Sequence, residues 1–211
     1  MVDQTDIRTV TTEAELREVV QEPHKVIWDK DIARIDQHAR TIIANSPFVL
    51  LATSTPEGTC DVSPRGDPAG SVLVLDDHRL AIADRPGNHR VDSFRNVLRN
   101  PHVGLLFLVP GMNETLRVNG RATLVSDAPF FDDLVVQGKR PRLAVLVEVE
   151  ELFIHCAKAF LRSSLWKPET WPDRKGLPTL GRIAKDHMNI KEATAESLDE
   201  GFDRDAVHNQ Y

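Results

Sequence analysis

The stretch Asp61-Val62-Ser63-Pro64-Arg65-Gly66-Asp67, read with Asp84-Arg85-Pro86-Gly87-Asn88-His89-Arg90-Val91-Asp92-Ser93, decides the fold. Each segment stands where an extended run gives out into a loop, and each offers an arginine beside small residues. The second segment also opens a helix. A helix start gathers free backbone N–H groups and the positive end of a dipole, so two arginines converging there form a phosphate cradle. The expectation is a bound small molecule that carries a phosphate.

The flanking sequence is β-rich. Residues 48–54 form a nearly continuous apolar strand, Thr55-Pro56-Glu57-Gly58 is turn chemistry, and 59–65 continue as a second strand. Residues 71–75 and 79–83 flank Asp76-Asp77-His78 as a hairpin, and 103–109, 114–125 and 143–154 are further strands. Between them, 90–99 reads as a helix with Val91, Phe94, Val97 and Leu98 as its apolar positions. Asp127 is expected to cap a short helix holding Phe130, Phe131, Leu134 and Val135. Strands on short turns with few intervening helices argue a small, mainly β, antiparallel barrel with flanking helices rather than a doubly wound sheet.

Outside this block the chain is helical or polar. Thr12-Glu13-Ala14-Glu15 is a capping box before Leu16, Val19 and Val20, and Pro23 ends that helix. Ile32, Ile35, Ala39, Ile42 and Ile43 predict a second helix over 31–44. After Trp166 the sequence turns Pro-rich, with a helix predicted over 179–188 and a mobile polar tail from Asn189. The organisation read from this is a helical extension over 1–25, a barrel domain over 26–166, and a helical segment with a polar tail over 167–211.

A chain of 211 residues with 41% apolar and 27% charged residues suits one globular domain with appendages. Its net charge of −6 disfavours nucleic acid, which needs a basic surface to displace counterions. No apolar run is long enough to span a bilayer, and the first residues lack a basic stretch followed by an apolar one, so a cytoplasmic protein is expected. Cys60 and Cys156 show no metal-type spacing; free thiols are expected, with a single disulfide the alternative. His155 and Cys156 lack further ligands, so a packed histidine and a buried thiol are expected there and no metal site. Glu148 and Glu150 mark the solvated face of a strand. No nucleophile elbow or P-loop occurs, and no general acid or base is assigned.

Taken together, Ser63-Pro64-Arg65-Gly66-Asp67, Pro86-Gly87-Asn88-His89-Arg90, Glu114-Thr115-Leu116-Arg117-Val118-Asn119-Gly120 and His155-Cys156-Ala157-Lys158-Ala159-Phe160-Leu161-Arg162-Ser163-Ser164-Leu165-Trp166 carry a resemblance. Over 26–166 the chain resembles the pyridoxamine 5′-phosphate oxidase-like FMN-binding split barrels, closest to a bacterial subgroup of FMN-dependent enzymes. The resemblance implies a six-stranded antiparallel split barrel forming a homodimer, with FMN at the subunit interface and two-electron chemistry on a small-molecule substrate. It implies phosphate contacts from Arg65, Asn88, Arg90 and Ser93, a flavin ring along Ser63, Gly66 and Asp67, and closure by Arg117, Lys158 and Trp166 of the second subunit. Pyridoxamine phosphate oxidases also grip their substrate with a later Arg-containing segment; here Gly181-Arg182-Ile183 and an acidic stretch stand instead. Related split barrels bind deazaflavin F420 or haem, for which His24 or His155 is an available axial ligand, and a non-enzymatic flavin-sensing module is a further alternative.

Several of these residues also have plain readings. Arg65 and Arg90 can serve as surface ion-pair partners, and Asn88 as a helix cap. Arg117 within a strand needs an anion, which either a flavin or Glu148 would supply. Trp166 is either an interface anchor or a stacking partner of the flavin.

Overall fold

A computed structural model describes residues 7–211, which divide into two compact units between Asp31 and Ile32. The first holds helices α1 (Glu13–Val19) and α2 (Lys25–Trp28). Thr12 and Glu15 close the capping box that the sequence predicts, and neither helix buries a residue.

The second unit is built on one antiparallel sheet of seven strands: β1 (Phe48–Ser54), β2 (Cys60–Gly66), β3 (Leu73–Val74), β4 (Arg79–Ala83), β5 (His102–Leu108), β6 (Thr115–Val125) and β7 (Ala144–His155). Their order is β2-β1-β5-β6-β7-β4-β3, so β2 and β3 are its edges. Six strands have five residues or more, and β3 has only two, because just Leu73 and Val74 of the expected 71–75 run pair with β4. The sheet curls until the ends of β2 and β4 approach each other. Two ion pairs cross that seam: Arg65 Nη1 to Asp84 Oδ1 at 3.3 Å and Arg85 Nε to Asp67 Oδ2 at 2.7 Å.

Alternation along the strands fills the barrel. Leu51, Leu80, Leu105, Phe107, Val118 and Val147 are each essentially inaccessible, and Ile35, Ala39 and Ile43 of α3 (Gln37–Asn45) join the same core. On β7 the buried positions run Val145, Val147, Val149 and then shift to Leu152. A bulge opposite Asn119 and Gly120 causes the shift, since one β7 residue has no partner there. Glu148 and Glu150, on the outward phase, are exposed as expected.

Helix α4 (Asp92–Arg99) packs Phe94 and Val97 onto the sheet, and its buried Asn96 donates to Thr53 Oγ1 at 3.0 Å. It starts later than the predicted 90–99, and Val91 and Leu98 face solvent rather than the core. Helix α3 is likewise shorter than 31–44, because tertiary bonds claim its first turn. Ile32 exchanges backbone hydrogen bonds with Leu152, Ile35 N–H donates to the Asp77 carbonyl, and Asp36 becomes the N-cap. The segment Pro129–Leu134 is a 3₁₀ helix that Asp127 does not cap; the Asp127 carboxylate accepts from Arg140 instead.

Helix α5 (Lys158–Ser163) follows β7, and α6 (Leu180–His187) is capped by Thr179. The expected mobile tail is in fact helical: α7 spans Ala195–His208 and lies against α6. The contact is close. A Cβ on Gly181 would collide with the Ala195 carbonyl and with Asp199, and Gly181 N–H donates to Asp199 Oδ1 at 2.6 Å. Among the described residues no helix is long and apolar enough to cross a membrane.

Candidate functional site

Period-two alternation puts Asp61, Ser63 and Arg65 on one half-buried face of β2, with half-buried Asp67 just past its end, beside the loop that leads from β4 into α4. Two hollows open along this face. One, of about 420 Å³, is lined by residues of β1, Ser63–Asp67, Ile82, Ala83 and Arg85–Asn88. The other, of about 240 Å³, is lined by Asp61, Ser63, Arg65 and the run Asp84–Phe94. Ser63, Arg65 and Asn88 line both.

The second hollow ends on the start of α4, and that start is unusual. Its N-cap is Val91, in the left-handed region at φ 53°, with no side chain capping the first turn. His89 is left-handed as well, at φ 58°. Two such residues without glycine, one of them β-branched, make a strained approach of the kind that clusters at ligand sites. Asn88 does not cap the helix; its Oδ1 accepts from Arg90 N–H at 3.0 Å and shapes the preceding turn. The first N–H groups of α4 are therefore open to an anion.

Arg65 reaches toward this start. Its guanidinium lies 5.0 Å from the centre of the Phe94 ring and pairs through Nη1 with Asp84, while Nε is buried without a hydrogen-bond partner. An orphaned guanidinium N–H beside an uncapped helix start fits an anionic oxygen. Arg90 is largely exposed and holds Asp92 at 2.8 Å, a weak, screened pair that an incoming anion can replace. Ser63 and Ser93 hydroxyls lie 3.0 Å apart, and buried Ser93 donates to Asp61 Oδ2 at 2.7 Å. Burial pushes the Asp84 carboxyl above its ordinary range, with the Arg65 charge pulling the other way.

Asp67 is the best-anchored acid of the site. One oxygen receives Arg85 Nε, and the other accepts the Tyr211 hydroxyl at 3.0 Å. Arg85 also donates to the Leu134 carbonyl at 2.9 Å. Gly66 meets only ordinary contacts where a Cβ would stand, so protein packing does not impose glycine there.

The other expected site residues lie elsewhere on the chain. Arg117, on β6, pairs with Glu151 rather than Glu148, and its guanidinium stacks 3.9 Å from the centre of the Phe153 ring. The β7 bulge is the reason: it brings Glu151 opposite Asn119, beside Arg117. Trp166 donates Nε1–H to the Met112 carbonyl at 2.8 Å and stacks with Phe160, and Lys158 is exposed at the start of α5. None of the three lines either hollow.

Cys156 is exposed rather than buried, as is Cys60, and the half-buried His155 packs 5.0 Å from Phe153. No cluster of His, Cys, Asp and Glu among the described residues could hold a metal ion. Sequence reasoning missed Asp84, Arg85 and Tyr211 as site residues. The first two stand inside the quoted stretch, where their place at a strand end was the available signal; nothing local marks Tyr211.

No curated protein matches this chain. Among solved structures it is similar to HupZ of Group A Streptococcus, at 17% identity and TM-score 0.46, covering 57% of this chain and 93% of that one. It is also similar to an FMN-binding protein from Syntrophomonas wolfei, at 12% identity and TM-score 0.43, covering 68% and 93%. HutZ, the haem storage protein of Vibrio cholerae, matches at 14% identity and TM-score 0.40, covering 58% and 94%. The family model described as pyridoxamine 5′-phosphate oxidase matches residues 35–156, more than half of the sequence and the whole stretch from α3 to the end of β7, and the chain belongs to that family.

Proposed function

We propose that the protein is an FMN-binding flavoprotein, an oxidoreductase acting on a small molecule. The observation that carries this reading is the buried, unpartnered Arg65 Nε beside the uncapped start of α4. Arg65, the first N–H groups of α4, Arg90 and the Ser93 hydroxyl would hold the phosphate. Ser63, Gly66 and Asp67 would lie along the ring, with Asp67 fixed between Arg85 and Tyr211. FMN, when bound, supplies two-electron chemistry, and the polypeptide supplies anchoring and orientation.

The working form under this reading is a homodimer. Arg117, Lys158 and Trp166 do not line the cleft of their own chain, and a second copy would bring them to it. Leu161, Leu165 and Trp171 around α5 are exposed apolar side chains that such a partner would cover. Titration of the purified protein with FMN, riboflavin, F420 and haemin tests the assignment. FMN should bind tightest, and riboflavin should lose about tenfold or more for want of its phosphate contacts. Tighter binding of F420 or haemin, or equal binding of riboflavin and FMN, would overturn it.

A further inference from the structure

A third hollow, of about 570 Å³, opens between the β4–α4 loop and the end of α7. Pro86, Gly87 and His89 line one side, and Asp205, Asn209 and Tyr211 the other. Pro86 and Gly87 also line the two hollows of the candidate cofactor site, so all three meet at this loop. Their charge differs. The 240 Å³ hollow includes Arg65, Arg85 and Arg90, whereas no lysine or arginine is among the described residues lining the third. Its carboxylate is Asp205, one oxygen of which accepts from Asn209 Nδ2 at 2.6 Å.

The wall that carries Tyr211 is held in place. The phenol hydroxyl donates to Asp67 Oδ1, and the Arg85 guanidinium lies 5.5 Å from the ring centre, which ties this wall to the seam of the barrel. Partial desolvation and the Asp67 hydrogen bond push the phenol above its usual range, so it remains a donor at neutral pH. One side of the hollow is thus an anchored aromatic ring, and the other side is polar.

We propose that this hollow is a substrate subsite for a planar, hydrogen-bonding small molecule that is neutral or cationic, with Tyr211 as its platform and Asp205 discriminating against anions. The proposal rests on the flavoprotein reading for the word substrate, though not for the binding itself. Phosphorylated or carboxylated compounds would find cations on the cofactor side of the loop and a carboxylate on this side.

Two probes of one shape and opposite charge test the proposal: N1-methylnicotinamide, a cation, and nicotinate, an anion. Binding is measured by calorimetry on the purified full-length protein at low salt, at about pH 8, above the imidazole range. The cation should bind about fivefold or more tighter than the anion. Asp205→Asn should bring the two within about twofold, and Tyr211→Ala should weaken the cation about tenfold. Tyr211→Phe should recover part of that loss by restoring the ring. Each variant is compared with the parent by thermal unfolding, and FMN affinity is measured separately.

Equal or tighter nicotinate binding, binding of neither probe, or discrimination unchanged in Asp205→Asn would overturn the subsite. Loss of FMN binding with probe discrimination intact would overturn the cofactor assignment and leave the subsite standing.

Discussion

Arg65 and Arg117 carry nearly the same local chemistry in different parts of one sheet. Each pairs with a carboxylate, each lies over a phenylalanine ring, and each leaves Nε buried without a partner. Arg65 stands on β2, an edge strand, facing hollows and an uncapped helix start. Arg117 stands on β6, between β5 and β7, against residues that the β7 bulge aligns with it. A buried guanidinium N–H without a partner therefore does not by itself distinguish the two; what differs is the open sheet edge and the uncapped helix start beside Arg65.

Five perturbations bear on this contrast. The largest effect is expected at Gly120, where any side chain would run into the Glu148 backbone at the bulge. Gly120→Val should cost about 3 kcal/mol or more, or prevent folding, because backbone has to move. Denaturant unfolding reads it, and a near-neutral result would mean the bulge is not needed to seat Glu151 beside Arg117.

Next come the two arginines themselves. Arg117→Met should cost about 1 kcal/mol, since it strands Glu151 in a pair that is still one-third exposed and screened. Arg65→Met strands Asp84 in a more buried pair and should cost at least as much stability, and it should also weaken FMN by about tenfold. If Arg65→Met left FMN affinity unchanged, the contrast between edge and centre would fail.

A smaller change is expected from Asp84→Asn, which removes the carboxylate competing for Arg65. FMN should bind a few fold tighter to this variant, by about 1 kcal/mol at most. Weaker binding would show that Asp84 orients Arg65 rather than competing with the ligand.

The smallest effect is a slope in pH. Burial raises the folded-state pKa of Asp84 above its unfolded value, so the folded state holds the proton more firmly. Its contribution to stability is present in acid, below the unfolded value, and is lost as pH rises through the raised folded value. Thermal unfolding across the acid range should show that component in the parent protein, and Asp84→Asn should lack it.

Much of the barrel was legible because alternation and turn chemistry are local signals. The strands at 48–54, 79–83 and 103–109 followed from residues close together in sequence, whereas the grouping of Ser63, Arg65, Asn88 and Ser93, which line one hollow, came from the family resemblance. What failed depended on distant partners. The first turn of the predicted α3 is claimed by Leu152 and Asp77, and the partner of Arg117 moves from Glu148 to Glu151 through one unpaired residue. Helix α7 buries no residue; its position comes from the close crossing at Gly181 and from Asp199, which a polar sequence does not announce. Tyr211 reaches Asp67 across 144 residues, and no local pattern encodes that contact.

The most direct test of the anion pocket is an equilibrium titration of FMN against the parent protein and the Arg65→Glu/Arg90→Glu double variant, with thermal unfolding as the folding control. The account predicts a folded double variant whose FMN affinity has fallen by about a hundredfold or more. An unchanged affinity in a folded variant would contradict it.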